Sequence, residues 1–345
     1  MNLSTMKSVT KKGLFSLIYF DYAASAPVLP CAREAFLSVS DGNPNSVHTA
    51  GRAARLTLEN ARSVIAECIG AEPGQIGFTP SATAACAIGC AAAFVYAASP
   101  YEHDAVRKAL PNTFVYNKGV AQILASNETG QIFYEEIRGL VKAHEVFTDA
   151  TAAMGHMGID VKDLGVAALA AGGHKFGAFP GIGFVYVRDG IEDKVSFPGT
   201  PPVALAWAMA AALKYRTDHL GMAEELFHHR SVFSYILQTK LLGIVHINTP
   251  FYSIPTVLSV RFDGINAMEL LTLMDVNGLC ASAGSACHAG SDTPSRVLIA
   301  SGLTPEQAGS TVRFSFAEET TTDDFLEAAD IICESVERLR SLSDV

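Results

Sequence analysis

The chain has 345 residues, 49% of them hydrophobic and 17% charged, and its mean hydropathy is +0.24. That is enough apolar material for two cores and excludes general disorder. The formal net charge of −10 excludes stand-alone binding to nucleic acid, because no basic excess is present to neutralise phosphates. The charged fraction lies below the ~25% usual for a soluble domain, which points to an additional buried apolar interface.

The N-terminal stretch places lysines before the short apolar run Gly13–Phe20 and small residues after it, in the manner of a secretory leader. Asp21 falls inside the would-be cleavage region, however, and the run also reads as a buried strand. No leader is therefore expected. Thr49–Ile69 reads as a helix: Ala54, Leu58, Ala61, Ile65 and Cys68 recur at steps of four and three, and Gly70 supplies the stop. A short strand is expected at Ile76–Thr79, a buried helix at Ala82–Ala92 and a further strand at Phe94–Ala98. The uncharged stretch Phe78–Pro100 has the length of a membrane span, but it lacks leucine and carries Pro80, so a buried helix and strand explain it better.

Val146–Asp149, Val166–Ala171 and Gly183–Val187 read as short buried strands. Val203 to about Tyr235 reads as helical, broken around Asp218–Gly221. The texture then changes. Ile244–Asn248, Thr256–Phe262, Leu279–Ser282 and Thr311–Phe316 are expected strands, and Asn266–Met274 and Asp323–Leu342 helices, of a smaller α+β unit. The alternation of strands and helices predicts an α/β protein with a mainly parallel sheet. The expected domains are 15–230 and 231–345, with the N-terminal segment free to pack on either.

The seven cysteines, Cys31, Cys68, Cys86, Cys90, Cys280, Cys287 and Cys333, are odd in number and scattered, which suits reduced thiols in a cytoplasm. Cys86 and Cys90 share a helix face and read as small core residues. No Cys/His spacing completes a zinc site, so no metal is expected.

Several residues could carry chemistry. Gly172-Gly173-His174-Lys175 follows an apolar strand, where ligands gather in parallel sheets. A lysine there is either a desolvated amine able to form a Schiff base or a loop lysine, and position alone leaves both open. Asp149 ends another buried strand. It could hold a metal, a sugar hydroxyl or a protonated ring nitrogen, or simply cap a helix. Cys287, in Ser285-Ala286-Cys287-His288, is a loop thiol that becomes reactive if its thiolate is favoured. Arg313 interrupts an apolar strand pattern and either clamps a carboxylate or makes an ordinary ion pair. His103 follows Phe94–Ala98 and could stack on a flat ligand, move protons, or be a solvated loop histidine. Ser81 and Thr83 open the helix Ala82–Ala92, where hydroxyls and free amides suit a phosphate as well as a cap.

Taken together these segments resemble the cysteine desulfurases, in the class V aminotransferase group of fold-type-I pyridoxal-phosphate enzymes. The matching stretches are Tyr19-Phe20-Asp21-Tyr22-Ala23-Ala24, Gly42-Asn43-Pro44-Asn45-Ser46 with His48, Phe78-Thr79 with Ala82-Thr83, Glu102-His103-Asp104-Ala105-Val106, Ser126-Asn127-Glu128-Thr129-Gly130, Asp149-Ala150, Gly173-His174-Lys175, Gly199-Thr200-Pro201-Pro202-Val203, Gly284-Ser285-Ala286-Cys287, Pro294-Ser295-Arg296-Val297-Leu298 and Val312-Arg313-Phe314-Ser315. The resemblance implies a large domain with a mainly parallel sheet of the seven-stranded type and a smaller C-terminal α+β domain. It implies pyridoxal 5'-phosphate as cofactor, held covalently by Lys175, with Asp149 on the ring nitrogen and His103 on the ring. Ala82, Thr83 and His174 would bind the phosphate, joined by Thr200 of the other subunit of a homodimer. Asn127 and Arg313 would hold the carboxylate of L-cysteine. Cys287 would take the sulfur as a persulfide and pass it to an acceptor protein in the cytoplasm, with no membrane and no nucleic acid contacted directly.

The family pattern is broken in places. Its usual Gly-Ala-Thr-Glu-Ser-x-Asn stretch reads Ser81-Ala82-Thr83-Ala84-Ala85-Cys86-Ala87 here. Ala152 stands where a glutamine usually binds the ring hydroxyl, and Gly172 where a serine or threonine usually precedes the His-Lys pair by one further residue. The Gly-Gly-Gln-Glu-Arg loop before Gly199 is missing, and the segment between His103 and Asn127 is short. Each lost donor would weaken cofactor binding by roughly 0.5–1.5 kcal/mol if unreplaced. The rival expectations are a selenocysteine lyase or another class V reaction on the same scaffold, and a degenerate, non-enzymatic dimer partner.

Overall fold

Short apolar strands separated by helical segments can bury both faces only in a layered α/β arrangement. A computed structural model describes residues 17–110, 118–188, 199–284 and 293–343. Two compact units emerge. The large unit is Ala23–Glu224 with Pro250–Pro255, and the small unit takes the residues up to Tyr22, Glu225–Thr249 and those from Thr256 on. The chain is thus interleaved where the sequence reading drew one boundary at 230.

Strand β1 (Ile18–Tyr19) belongs to the small unit. The large unit's sheet is built from β2 (Ile76–Thr79), β3 (Val95–Ala98), β4 (Gly119–Ala121), β5 (Glu145–Asp149), β6 (Ala168–Gly172) and β7 (Gly183–Val187) in the order β2-β7-β6-β5-β4-β3. The pairings β3–β4, β4–β5 and β5–β6 are parallel, and β7 alone runs against its neighbours. The helix Ala82–Ala92 packs on this sheet, and Gly89 allows the approach: a Cβ there would lie 2.4 Å from the Phe147 ring.

Six strands are described where the resemblance implies seven, with β3 at the edge. Between β3 and β4 the described residues hold the helix Asp104–Ala109. β3 also starts one residue later than expected. Phe94 leaves the preceding helix in a left-handed conformation (φ 51°) and is 59% exposed, a place more often given to glycine.

In the small unit, β8 (Val245–Ile247), β9 (Val257–Phe262), β11 (Ser282–Ala283) and β12 (Thr311–Ser315) form an antiparallel sheet in the order β11-β12-β9-β8. β10 (Leu279–Cys280) pairs in parallel with β1. The single strand expected at Leu279–Ser282 is therefore two, one in each sheet. Phe20 anchors the N-terminal segment. It is 1% exposed and meets Phe316 edge-on at 4.7 Å, Phe233 edge-on at 5.9 Å and Phe325 at 5.3 Å. Phe20→Ala should cost about 3–5 kcal/mol, as for other buried aromatic truncations, measured by urea unfolding followed through the small unit.

Candidate active site

The parallel topology brings the carboxyl ends of β3 to β6 to one edge of the large unit's sheet, and the candidate residues of this unit follow from it. His103 comes after β3, Asn127 after β4, Asp149 ends β5, and His174 and Lys175 follow β6 in a single 3₁₀ turn. The stretch beyond β4 stays on this edge, because Leu124 N–H donates to the Asp149 carbonyl at 3.0 Å. The adjacency of β5 and β6 is direct, with Asp149 opposite Ala170.

The Lys175 Nζ donates to the carbonyl oxygens of Ala23 (2.6 Å) and Ala24 (2.9 Å). Two oxygen dipoles therefore hold the amine at the turn. Its neighbour His174 is half-buried. Burial, and then the Lys175 charge, pull the His174 pKa down to about 4, so the imidazole is neutral near pH 7. His103 caps the helix Asp104–Ala109: its Nδ1 accepts the Ala105 N–H at 3.1 Å. That bond fixes the neutral tautomer with the proton on Nε2.

Asp149 is 4% exposed. Its Oδ1 accepts the Thr151 N–H at 2.9 Å, and the Cys86 thiol donates to Oδ2 at 3.7 Å. No cation faces it among the described residues. A buried carboxylate without a counter-charge is costly, and the environment would suit a protonated ring nitrogen. Cys86 and Cys90 are both buried, as expected of small core residues, and burial followed by the Asp149 charge pushes the Cys86 thiol well above its ordinary range.

The N-terminus of the helix Ala82–Ala92 supplies the anion-binding end. Ser81 caps it by accepting the Ala84 N–H at 3.2 Å, while the first-turn amides of Ala82 and Thr83 have no intrahelical acceptor. Thr83 is exposed. Gly172 explains one departure from the family pattern. A Cβ at this position would lie 2.8 Å from the Ala82 Cβ, so the strand end and the helix start stand too close for a serine or threonine. The cradle is thus made from backbone where the family uses a hydroxyl. Thr200 is exposed, just ahead of the helix Val203–Asp218.

In the small unit, Arg313 on β12 is 1% exposed, and its Nη2 donates to Asp21 Oδ1 at 2.8 Å. A bridge between Asp21 and Ser315 carries Asp21 alongside that strand. Cys287 lies outside the described residues. Asp21, the Ala23 and Ala24 carbonyls and Glu102 were not given roles from the sequence. The signal for Asp21 and Glu102 was an acid inside an otherwise apolar or motif-like stretch. Among the described residues no group of three or more metal-ligating side chains is found, and no helix is long and apolar enough to cross a membrane.

The sequence profile of aminotransferase class-V matches residues 18–106, 101–198 and 192–327. The chain belongs to the aminotransferase class-V family. Family members work with pyridoxal 5'-phosphate, and this class-V enzyme has the lysine, the unpaired buried carboxylate and the helix N-terminus to hold it. The chain is 32% identical to the cysteine desulfurase IscS of Klebsiella pneumoniae and 31% identical to that of Serratia proteamaculans, covering 94% of this chain and 94% of each relative. Among solved structures, a NifS-like protein from Rickettsia africae superimposes with a TM-score of 0.80 at 22% identity, over 93% of this chain and 99% of that one. A structure of SspA in complex with cysteine gives 0.71 at 25% identity, over 88% and 99%.

Two outcomes follow for the cofactor-free class-V enzyme. Gly172→Ser should lower the thermal midpoint and leave cofactor affinity no tighter, read by differential scanning fluorimetry and cofactor titration. His174 has a folded pKa below its unfolded value of about 6.5. Its contribution to stability is full above that value and is lost as pH falls from about 6.5 to about 4. Urea unfolding at pH 7 and pH 5 should show a loss that is smaller in His174→Gln.

Proposed function

We propose that this class-V enzyme is a cysteine desulfurase that converts L-cysteine to L-alanine and collects the sulfur as a persulfide on Cys287. The observation that carries the proposal is the buried, cation-free Asp149 beside the Lys175 turn. The named relatives and the cysteine-bound SspA structure support the choice of substrate.

Bound pyridoxal phosphate supplies an electron sink conjugated to the substrate amine. Lys175 would hold the cofactor and would move the proton at the substrate Cα. Asp149 would keep the ring nitrogen protonated. His103 offers its Nε2–H on the ring side, since Nδ1 is committed to the Ala105 N–H. The first-turn amides at Ala82 and Thr83, the Thr83 hydroxyl and neutral His174 bind the phosphate, and Thr200 does so from the second copy of a homodimer. Asn127 and Arg313 bind the substrate carboxylate. Asp21 shares the Arg313 guanidinium and so sets its orientation.

The Cys287 thiolate attacks the substrate sulfur. The new S–S bond forms as the substrate Cβ–S bond breaks, the electron pair stays with Cβ, and protonation there yields alanine. An acceptor protein in the cytoplasm then takes the outer sulfur from Cys287. The acidic net charge of −10 suits hand-over to a protein over direct contact with nucleic acid.

The purified protein should be yellow, with a visible band lost in Lys175→Ala. With cysteine and a reductant it should release alanine and sulfide. Cys287→Ala should keep the colour and lose the sulfide. A colourless protein that takes up no added cofactor would count against the enzyme and favour a dimer-partner role. Unchanged sulfide release in Cys287→Ala would remove the persulfide.

A further inference from the structure

A second carboxyl stands near Asp149 that the reaction above does not use. Glu102 lies between β3 and the helix Asp104–Ala109, directly before His103, and is 1% exposed. Its backbone is fixed in the turn, with its N–H donating to the Ser99 carbonyl at 3.2 Å. Neither carboxyl oxygen makes a well-formed hydrogen bond, and the nearby Ile123 amide offsets its burial only in part. The groups that act on it electrostatically are Asp149 at the end of β5, Cys90 and Cys86 from the helix Ala82–Ala92, the Ile123 amide from the stretch after β4, and Arg107 from the following helix. Arg107 is exposed, so its charge is screened by solvent.

Two ionised carboxylates buried together without a buried cation would be strongly unfavourable, and one of them neutralises instead. The hydrogen bonds decide which. Asp149 has the Thr151 N–H and the Cys86 thiol as donors. Glu102 has no such pair.

We propose that Glu102 is a positioning residue carried as a neutral carboxylic acid, so that the buried Glu102–Asp149 pair holds a single negative charge, placed on Asp149 for the ring nitrogen. The inference rests on the assignment of Asp149 to that nitrogen. Burial, followed by the Asp149 charge, raises Glu102 well above the usual carboxylate range, with the Ile123 amide and Arg107 opposing only in part. The thiols beside it add no charge. Burial pushes Cys90 up as well, reinforced by Glu102 and Asp149.

The test reads the proton directly in the full-length, cofactor-free protein. Near neutral pH the infrared spectrum of the wild type should contain the C=O stretch of a protonated carboxyl. The band should be lost in Glu102→Gln and kept in Asp149→Asn. Linkage gives a second readout. Because folding raises the Glu102 pKa, its contribution is full below the unfolded value and is lost as pH rises toward the folded one. The midpoint of Glu102→Gln should therefore gain on the wild type as pH increases.

No protonated-carboxyl band, a band that follows Asp149, or a stability gap flat with pH would each overturn the proposal. If Glu102→Gln does not fold, the wild-type and Asp149→Asn spectra decide alone. Cofactor uptake separates this idea from the reading beneath it. Normal uptake by Asp149→Asn removes the ring-nitrogen assignment and the purpose of the pair. Uptake lost in Asp149→Asn together with an absent band removes the Glu102 assignment alone.

Discussion

A negative charge at the carboxyl end of a buried strand must be compensated, and Asp149 is the point at which the large unit meets that requirement. The sheet order sets β5 between β4 and β6, so the carboxylate sits in the middle of the edge where the chain turns out of the sheet. One backbone amide and one thiol support it, and the proposed ring nitrogen would supply the rest of the compensation. The Lys175 turn, the helix start at Ala82 and the His103 cap are held on the same edge by the same parallel topology. The chemistry of the site and the hand of the fold are thus one constraint seen at two scales.

The departures from the family pattern gain a physical reading. Gly172 is required by contact, because helix and strand approach too closely for a side chain. Ala84 and Ala152, both half-buried, have no such account.

Long apolar runs were legible in the sequence. Ile76–Thr79, Ala82–Ala92 and Gly183–Val187 lie where their composition and flanking turn residues put them. The helices Pro30–Ser38, Asp104–Ala109 and Tyr134–Leu140 and the three-residue β4 were not, since each is too short for a periodic signal to stand out. In the site, Lys175 and Asp149 announced themselves as charged residues at the ends of apolar strands. Glu102 did not, because its meaning lies in burial against a carboxylate that is distant in sequence. Asp21 stood out only as an acid in an apolar stretch, and its role was hidden because its partner Arg313 is 292 positions away.

That separation bears on how the protein is made. β1 and Phe20 leave the ribosome among the first described residues, yet their neighbours β10, Phe316 and Phe325 come from the last quarter of the chain. At a synthesis rate of roughly 5–20 residues per second, Phe20 waits on the order of 15–60 s for Phe316 to follow. The large unit can close in that interval, while an apolar N-terminal segment stays unsatisfied in solution. The small unit is in this sense completed by segments made far apart in time, and the period of exposure before it closes is one in which a chaperone would find something to hold.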